Sequence, residues 1–181
     1  MTIGFRSHQS GVAIELDADE AAVLRSMATL ILDLVEPPAE KDEFAELVGI
    51  GGNSEKPEDP VLARLFPDAY TGDNEAAGDF RRYTEDGLRQ NKRGNAEVIL
   101  ADVPSTGGTV TLDAERAHAW MKSLNDVRLA LGTRIGADEE TYEAYLNGEK
   151  QSNESDEAAM HIYDWLGGLQ ESLVQALHGT E

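Results

Sequence analysis

The sequence contains no cysteine. That excludes a disulfide framework, a thiol nucleophile, a zinc–thiolate site and an iron–sulfur cluster. No apolar run approaches the roughly 18 residues needed to span a membrane. The first residues, MTIGFRSHQSG, lack the basic-then-apolar plan of a secretory leader. A cytoplasmic location is therefore expected, with no membrane partner. Positive charge is scarce: 15 Lys plus Arg stand against 35 Asp plus Glu, a formal charge of −20. A surface of that sign repels nucleic acid and anionic lipid at long range.

Catalytic signatures are also missing. There is no Gly-x-Ser-x-Gly elbow. The stretch Gly49-Ile50-Gly51-Gly52-Asn53-Ser54 has neither a GxGxxG spacing nor a Walker lysine-serine ending, and reads as a loop that bends freely. His8, His118, His161 and His178 have no histidine four residues on, so surface or helix-packing roles are expected of them. Asp17-Ala18-Asp19-Glu20 lacks the central glycine and distal glutamate of a calcium loop. No catalytic residue, cofactor or metal is assigned.

What is present is a globular composition in 181 residues, enough for one domain with a core of its own. Residues 3–6 and 12–16 flank a polar stretch and read as two short strands joined in a hairpin. Asp17 caps the next helix, with Glu20 completing a capping box, and Pro37-Pro38 stops it. A short helix is expected at about 40–48, then a flexible loop at 49–58. Asp59-Pro60 starts another brief helix that Pro67 interrupts. A longer one begins near Asn74 with Ala76, Phe80, Tyr83 and Leu88 as its apolar face, and Gly94 divides it from a continuation to Val103. Residues 104–108 form a turn, and Val110 to Leu112 a strand. Asp113 caps a helix carrying Ala117, Trp120, Leu124, Leu131 and Ile135 that ends at Gly136. A small helix at 139–146, a flexible stretch at 147–155 and a last helix at 156–178 complete the chain. The fold class is mainly α: a single-domain helical bundle over 1–181 with a small two- or three-stranded sheet. Residues 14–19 and 110–115 echo one another as strand, capping aspartate and helix, which suits either two neighbouring strands in one sheet or common strand-to-helix chemistry recurring by chance.

Two features stand out. Residues 81–93 carry Arg81, Arg82, Arg89, Lys92 and Arg93 against Glu85 and Asp86. These five cations are candidate partner-binding residues for an acidic protein or a nucleic-acid backbone. The competing interpretation is a helix face paired internally, since Glu85 stands four residues before Arg89. The second feature is Arg128, which falls on the apolar stripe of its helix. A guanidinium there requires a partner. Glu85, Asn125, Asp126, Arg128, Tyr163 and Asp164 are the candidate buried polar network, with Asp164 or Glu85 as the counter-ion. The same network could instead line a small-molecule pocket. Gly167-Gly168, inside the last helix, suits a close helix crossing or a hinge.

The segments AVLRS at 22–26, DPVLARL at 59–65, PDAY at 67–70, FRRYTE at 80–85, LNDVRLALGTR at 124–134, YDWL at 163–166 and LQESL at 169–173 resemble the actinobacterial DUF2017 family, in order along nearly the whole chain. The resemblance implies a cytosolic, non-enzymatic protein, often encoded beside the Clp-protease adaptor, with a role in oxidative-stress transcription. In the mycobacterial branch that role is tied to a cysteine pair near the N-terminus and a sigma-factor partner. A chain with no cysteine cannot form that switch. Methionine oxidation at Met27, Met121 or Met160 stays chemically open to it. The leading expectation is a regulator acting through protein contacts, with RNA polymerase or a sigma factor as partner and a homodimer open to it. Direct DNA binding through 81–93 is the alternative, which the net charge opposes.

Overall fold

The computed structural model describes residues 2–36, 57–136, 139–148 and 154–179. The expected helix at 40–48 and most of the expected loops at 49–58 and 147–155 lie outside them.

Aspartates set where helices begin. The Asp17 carboxylate accepts the Glu20 amide at 2.8 Å, and Glu20 accepts the Asp17 amide at 3.0 Å, closing the capping box of α1 (Ala18–Leu34). Asp59 caps α2 (Pro60–Leu65), with proline in the first turn. Asp73 caps α3 (Asn74–Asp102) and Asp113 caps α4 (Ala114–Ile135). The last of these ends on Gly136, which takes the left-handed conformation at φ 61°. Next come α5 (Glu139–Leu146) and α6 (Glu154–His178). α3 is one continuous helix, so Gly94 does not divide it. Nothing but the cost of a single glycine opposes continuity there.

The sheet has three antiparallel strands in the order β1 (Arg6–His8), β2 (Gly11–Leu16) and β3 (Gly108–Leu112). The hairpin sits slightly later than the hydropathy suggests: residues 3–5 stay outside the ladder, and Arg6 pairs with Ala13. Val12 pairs with Leu112 and Ile14 with Val110. The two echoing segments are therefore neighbours, the first of the two alternatives. A Cβ at Gly11 would lie 2.0 Å from the Leu112 carbonyl oxygen, so only glycine fits that approach.

Val12, Ile14 and Leu16 face the core, where they join Leu24 and Ile31 of α1, Ile99 of α3, Trp120 and Leu124 of α4, and Leu166 and Leu173 of α6. α4 is the central post, touching the sheet and α1, α2, α3 and α6. Polar bonds tie the chain's early residues to α6: the Phe5 amide donates to Ser172 Oγ at 3.0 Å, and Ser7 Oγ donates to the Ala176 carbonyl at 2.9 Å. Phe5 meets Trp120 edge-on at 5.7 Å between ring centroids. Trp120 donates its indole N–H to Asp102 Oδ2 at 2.9 Å, so the fully buried ring keeps its one polar group satisfied.

Candidate functional site

The first half of α3 does not bury the side that its sequence pattern marks as apolar. Phe80, Tyr83 and Leu88 are 45%, 79% and 41% exposed. Buried instead are Arg81 and Glu85, at 5% and 3%. The correction has a local cause. The neighbours of this half of the helix offer carbonyl and carboxylate oxygens, which a guanidinium can satisfy and a phenyl ring cannot.

Arg81 Nη2 donates to the Phe66 carbonyl at 2.8 Å and to Asp68 Oδ1 at 2.7 Å. Its Nη1 lies 4.0 Å from Glu85 Oε2. Glu85 Oε1 accepts from Arg89 Nη2 at 2.9 Å. One turn on, Lys92 Nζ donates to Asp126 Oδ1 of α4 at 2.7 Å. The buried Phe66 ring sits beneath these cations, with the Arg89 guanidinium 4.7 Å and the Lys92 ammonium 5.9 Å from its centroid. The result is a charged seam where α3 meets the 66–68 segment and α4. Burial pushes the Asp126 carboxyl above the ordinary aspartate range, although the hydrogen bond and charge of Lys92 pull the other way.

The five cations thus do not form one open stripe. Arg81, Arg89 and Lys92 turn inward onto carboxylates, in the internal pairing that the Glu85 to Arg89 spacing favours. Arg82 and Arg93 are half-buried and form no ion pair among the described residues.

The second set of residues divides differently from the expectation. Asp126 is buried, but its partner is Lys92. Asn125 and Asp164 are exposed, so neither belongs to a buried network. Each falls on the solvent side of its helix. Glu85 is engaged by Arg81 and Arg89 on its own helix. Arg128 is half-buried and donates to Gln170 Oε1 at 2.8 Å, with its guanidinium 5.2 Å from the Tyr163 ring centroid. A Cβ added at Gly167 would meet that guanidinium at 3.4 Å, and one at Gly132 would meet the Tyr163 ring at 3.3 Å. These two glycines let α4 and α6 approach closely around the arginine, whereas Gly168 faces open space. α6 therefore packs against Arg128 through Tyr163, Gly167 and Gln170.

Sequence reasoning missed Asp68, which bonds Arg81, and it missed the role of Phe66. Both signals were readable only after folding, because they depend on how the turn after Pro67 is placed against α3.

Outside this seam, His8, His118, His161 and His178 are all exposed. Among the described residues, no group of three or more histidine or acidic side chains is placed to hold a metal ion. No helix of the described residues is long and apolar enough to cross a membrane.

A family model described as a domain of unknown function, DUF2017, matches residues 2–177. A Mycobacterium leprae (strain TN) protein that carries the AosR name is 35% identical over 178 residues, covering 89% of this chain and 80% of that protein. The oxidative stress regulator AosR of Mycobacterium tuberculosis (strain ATCC 25618 / H37Rv) is 32% identical over 180 residues, covering 89% of this chain and 79% of its own. That of Mycobacterium bovis (strain ATCC BAA-935 / AF2122/97) is similar to the same extent, at 32% over 180 residues. No solved structure matches the chain.

Proposed function

The chain belongs to the DUF2017 family, and on that footing we propose that it is a cytoplasmic regulator of the oxidative-stress response that works through protein contacts and performs no catalysis. The names of its mycobacterial relatives support the regulatory role. The observation that carries the mechanism is the outward apolar side of α3, where Phe80, Tyr83 and Leu88 lie at the surface of a chain with a net charge of −20. Apolar side chains grouped at an acidic surface suit a cationic protein partner. RNA polymerase or one of its sigma factors is the partner proposed. With no cysteine in the chain, the oxidant signal reaches it by a route other than a disulfide of its own.

Direct reading of DNA is the weaker alternative. Three of the five cations that would serve it are engaged inside the protein. Binding of the purified chain to RNA polymerase holoenzyme, measured by surface plasmon resonance across a salt series beside a duplex gel shift at low salt, tests the proposal. Association with the polymerase that weakens as salt rises, without a duplex shift, is the expected result. A salt-sensitive duplex shift with no affinity for the polymerase would overturn it.

A further inference from the structure

We propose that the open edge of β3 is a docking site for an extended segment of a partner protein. That segment adds to the sheet as a further strand and carries lysine or arginine at its two ends. The inference goes beyond the reading above, since it names a second surface, distinct from the apolar side of α3, and needs no polymerase.

The register fixes which main-chain groups are free. Peptide groups along a strand point alternately to its two sides. The Leu112 carbonyl oxygen lies against Gly11, so it points at β2. Val110 and Gly108 point the same way, and Thr109 and Thr111 turn their N–H and C=O groups away from β2. The hairpin gives the same phase. Only Gln9 and Ser10 separate His8 from Gly11, so that pair is hydrogen-bonded, and Val12, Ile14 and Leu16 direct their peptide groups to β3. Among the described residues β3 pairs with β2 alone. Outside that ladder, no main-chain bond among the described residues engages Thr109 or Thr111.

The two edges of the sheet are treated differently. β1 has three residues and is held along α6, where Ser7 Oγ donates to the Ala176 carbonyl. β3 has five residues, Thr109 and Thr111 are exposed, and a Cβ on Gly108 would meet open space. Proteins ordinarily blunt an open edge with a charge, a proline, a bulge or a covering helix. Residues 103–112 are the longest run of the sequence without Asp, Glu, Lys or Arg, and no proline stands within β3. An edge in this state is a template for strand addition, in which main-chain bonds supply the affinity.

Charge selects the occupant. Glu15, opposite Thr109, and Asp17, next to Gly107, lie at one end of the edge, and Asp113 and Glu115 follow the other. All four are exposed. No lysine or arginine occurs in residues 7–24 or 103–115. Of the cations that bracket these stretches, Arg25 donates to the Leu100 and Val103 carbonyls, Arg116 pairs with Asp102, and Arg6 lies across the sheet on β1. Lysine or arginine at both ends of an added strand would meet the four carboxylates. A second copy of the chain would not. Paired antiparallel, Thr109 on Thr111, two β3 strands would set Asp113 of each copy opposite Gly107 of the other, beside Asp17.

The test uses the full chain, isotope-labelled for NMR, with two synthetic peptides: Lys-Thr-Val-Thr-Val-Thr-Lys, and the same strand with glutamate at both ends. The lysine peptide should shift the Thr109 and Thr111 amide resonances and slow their hydrogen exchange, and its binding should weaken as salt rises. The glutamate peptide should bind at least about tenfold more weakly. Thr109→Pro removes an outward N–H without taking a bond from the ladder, and should weaken the lysine peptide by about tenfold. Glu15→Lys with Glu115→Lys, at exposed positions, should weaken it as well and guards against a folding defect in the proline variant. No change at Thr109 and Thr111 with the lysine peptide would overturn the proposal, and so would equal binding of the two peptides. Exchange at these amides that slows with protein concentration alone would give the edge to a second copy and overturn it too.

Discussion

The two halves of α3 solve the same problem in opposite ways. From Ala96 to Val103 the helix buries aliphatic carbon, with Ala96, Ile99 and Val103 in the core. About three to four turns earlier it buries Arg81 and Glu85 and leaves Phe80 and Tyr83 outside. Burial of Ile99 stabilises without geometric demands, because the hydrophobic effect has no direction. Burial of Arg81 stabilises only while each N–H meets an oxygen, so this half holds one register against α4 and the 66–68 segment. The apolar half builds the domain. The charged half leaves Phe80, Tyr83 and Leu88 at the surface.

The largest effect that could break this contrast is the loss of Arg81. Arg81→Ala removes one donor from the Phe66 carbonyl and from Asp68, and takes the Arg81 guanidinium away from Glu85, which keeps its bond to Arg89. The expected loss is about 3–5 kcal/mol of unfolding free energy, the usual cost of breaking a buried pair on one side. Ile99→Ala in the other half should cost about 2–5 kcal/mol through the cavity it leaves. Urea unfolding of both variants checks this. Arg81→Lys should recover only part of its loss, since an ammonium cannot reproduce the planar fork that bridges a carbonyl and a carboxylate. A loss under about 1 kcal/mol for Arg81→Ala would mean the charged half anchors nothing.

A smaller effect concerns where the charged half begins. The Asp73 carboxylate accepts the Ala76 amide at 3.0 Å and caps the start of α3. Asp73→Ala should cost about 1 kcal/mol by thermal or urea unfolding. Hydrogen exchange should quicken at the amides of 75–78 and leave those near Ile99 protected.

Much of the frame was legible in the sequence because it rests on local chemistry. Asp17 with Glu20, Asp59 before Pro60, and Asp113 after a β-rich triplet each bond within three residues of themselves, so the helix starts needed no tertiary knowledge. The repeated strand-cap-helix unit left the β2–β3 neighbourhood open beside chance recurrence, and the pairing of Val12 with Leu112 decides for it. The candidate site was harder for the opposite reason. A hydropathy pattern ranks Phe80 above Arg81 for burial and cannot see the Phe66 carbonyl or the Asp68 carboxylate that reverse the order. Arg128 was legible as a misplaced charge on an apolar stripe, but its acceptor, Gln170, is a neutral side chain on another helix, chosen by a crossing that Gly132 and Gly167 permit.

The Lys92–Asp126 contact sharpens the contrast through pH. Burial raises the Asp126 carboxyl above its ordinary 3.8 in the folded chain, against the pull of Lys92. The folded state therefore holds that proton more tightly than the unfolded one. The stability this contributes is complete below the unfolded value and is lost as pH rises through the higher folded value. Asp126→Asn keeps the shape and removes the titration. The stability of the natural chain relative to this variant should fall as pH increases from 3.8 through the higher folded value, measured by urea unfolding at each pH. A difference that stays flat or rises would place the carboxylate in a well-solvated or fully compensated setting.

The smallest expected effect on stability is the most informative about purpose. Tyr83 is 79% exposed, so Tyr83→Ser should move the unfolding free energy by no more than about 0.5 kcal/mol. An exposed tyrosine that contributes nothing to folding can still weigh heavily in an interface, where aromatic side chains are enriched among the residues that matter most. A variant as stable as the natural chain yet weaker for RNA polymerase by about tenfold would separate folding from function at one side chain. Equal affinity in the two proteins would show that the apolar side of α3 is merely tolerated at the surface. The charged seam beneath it would then serve register alone.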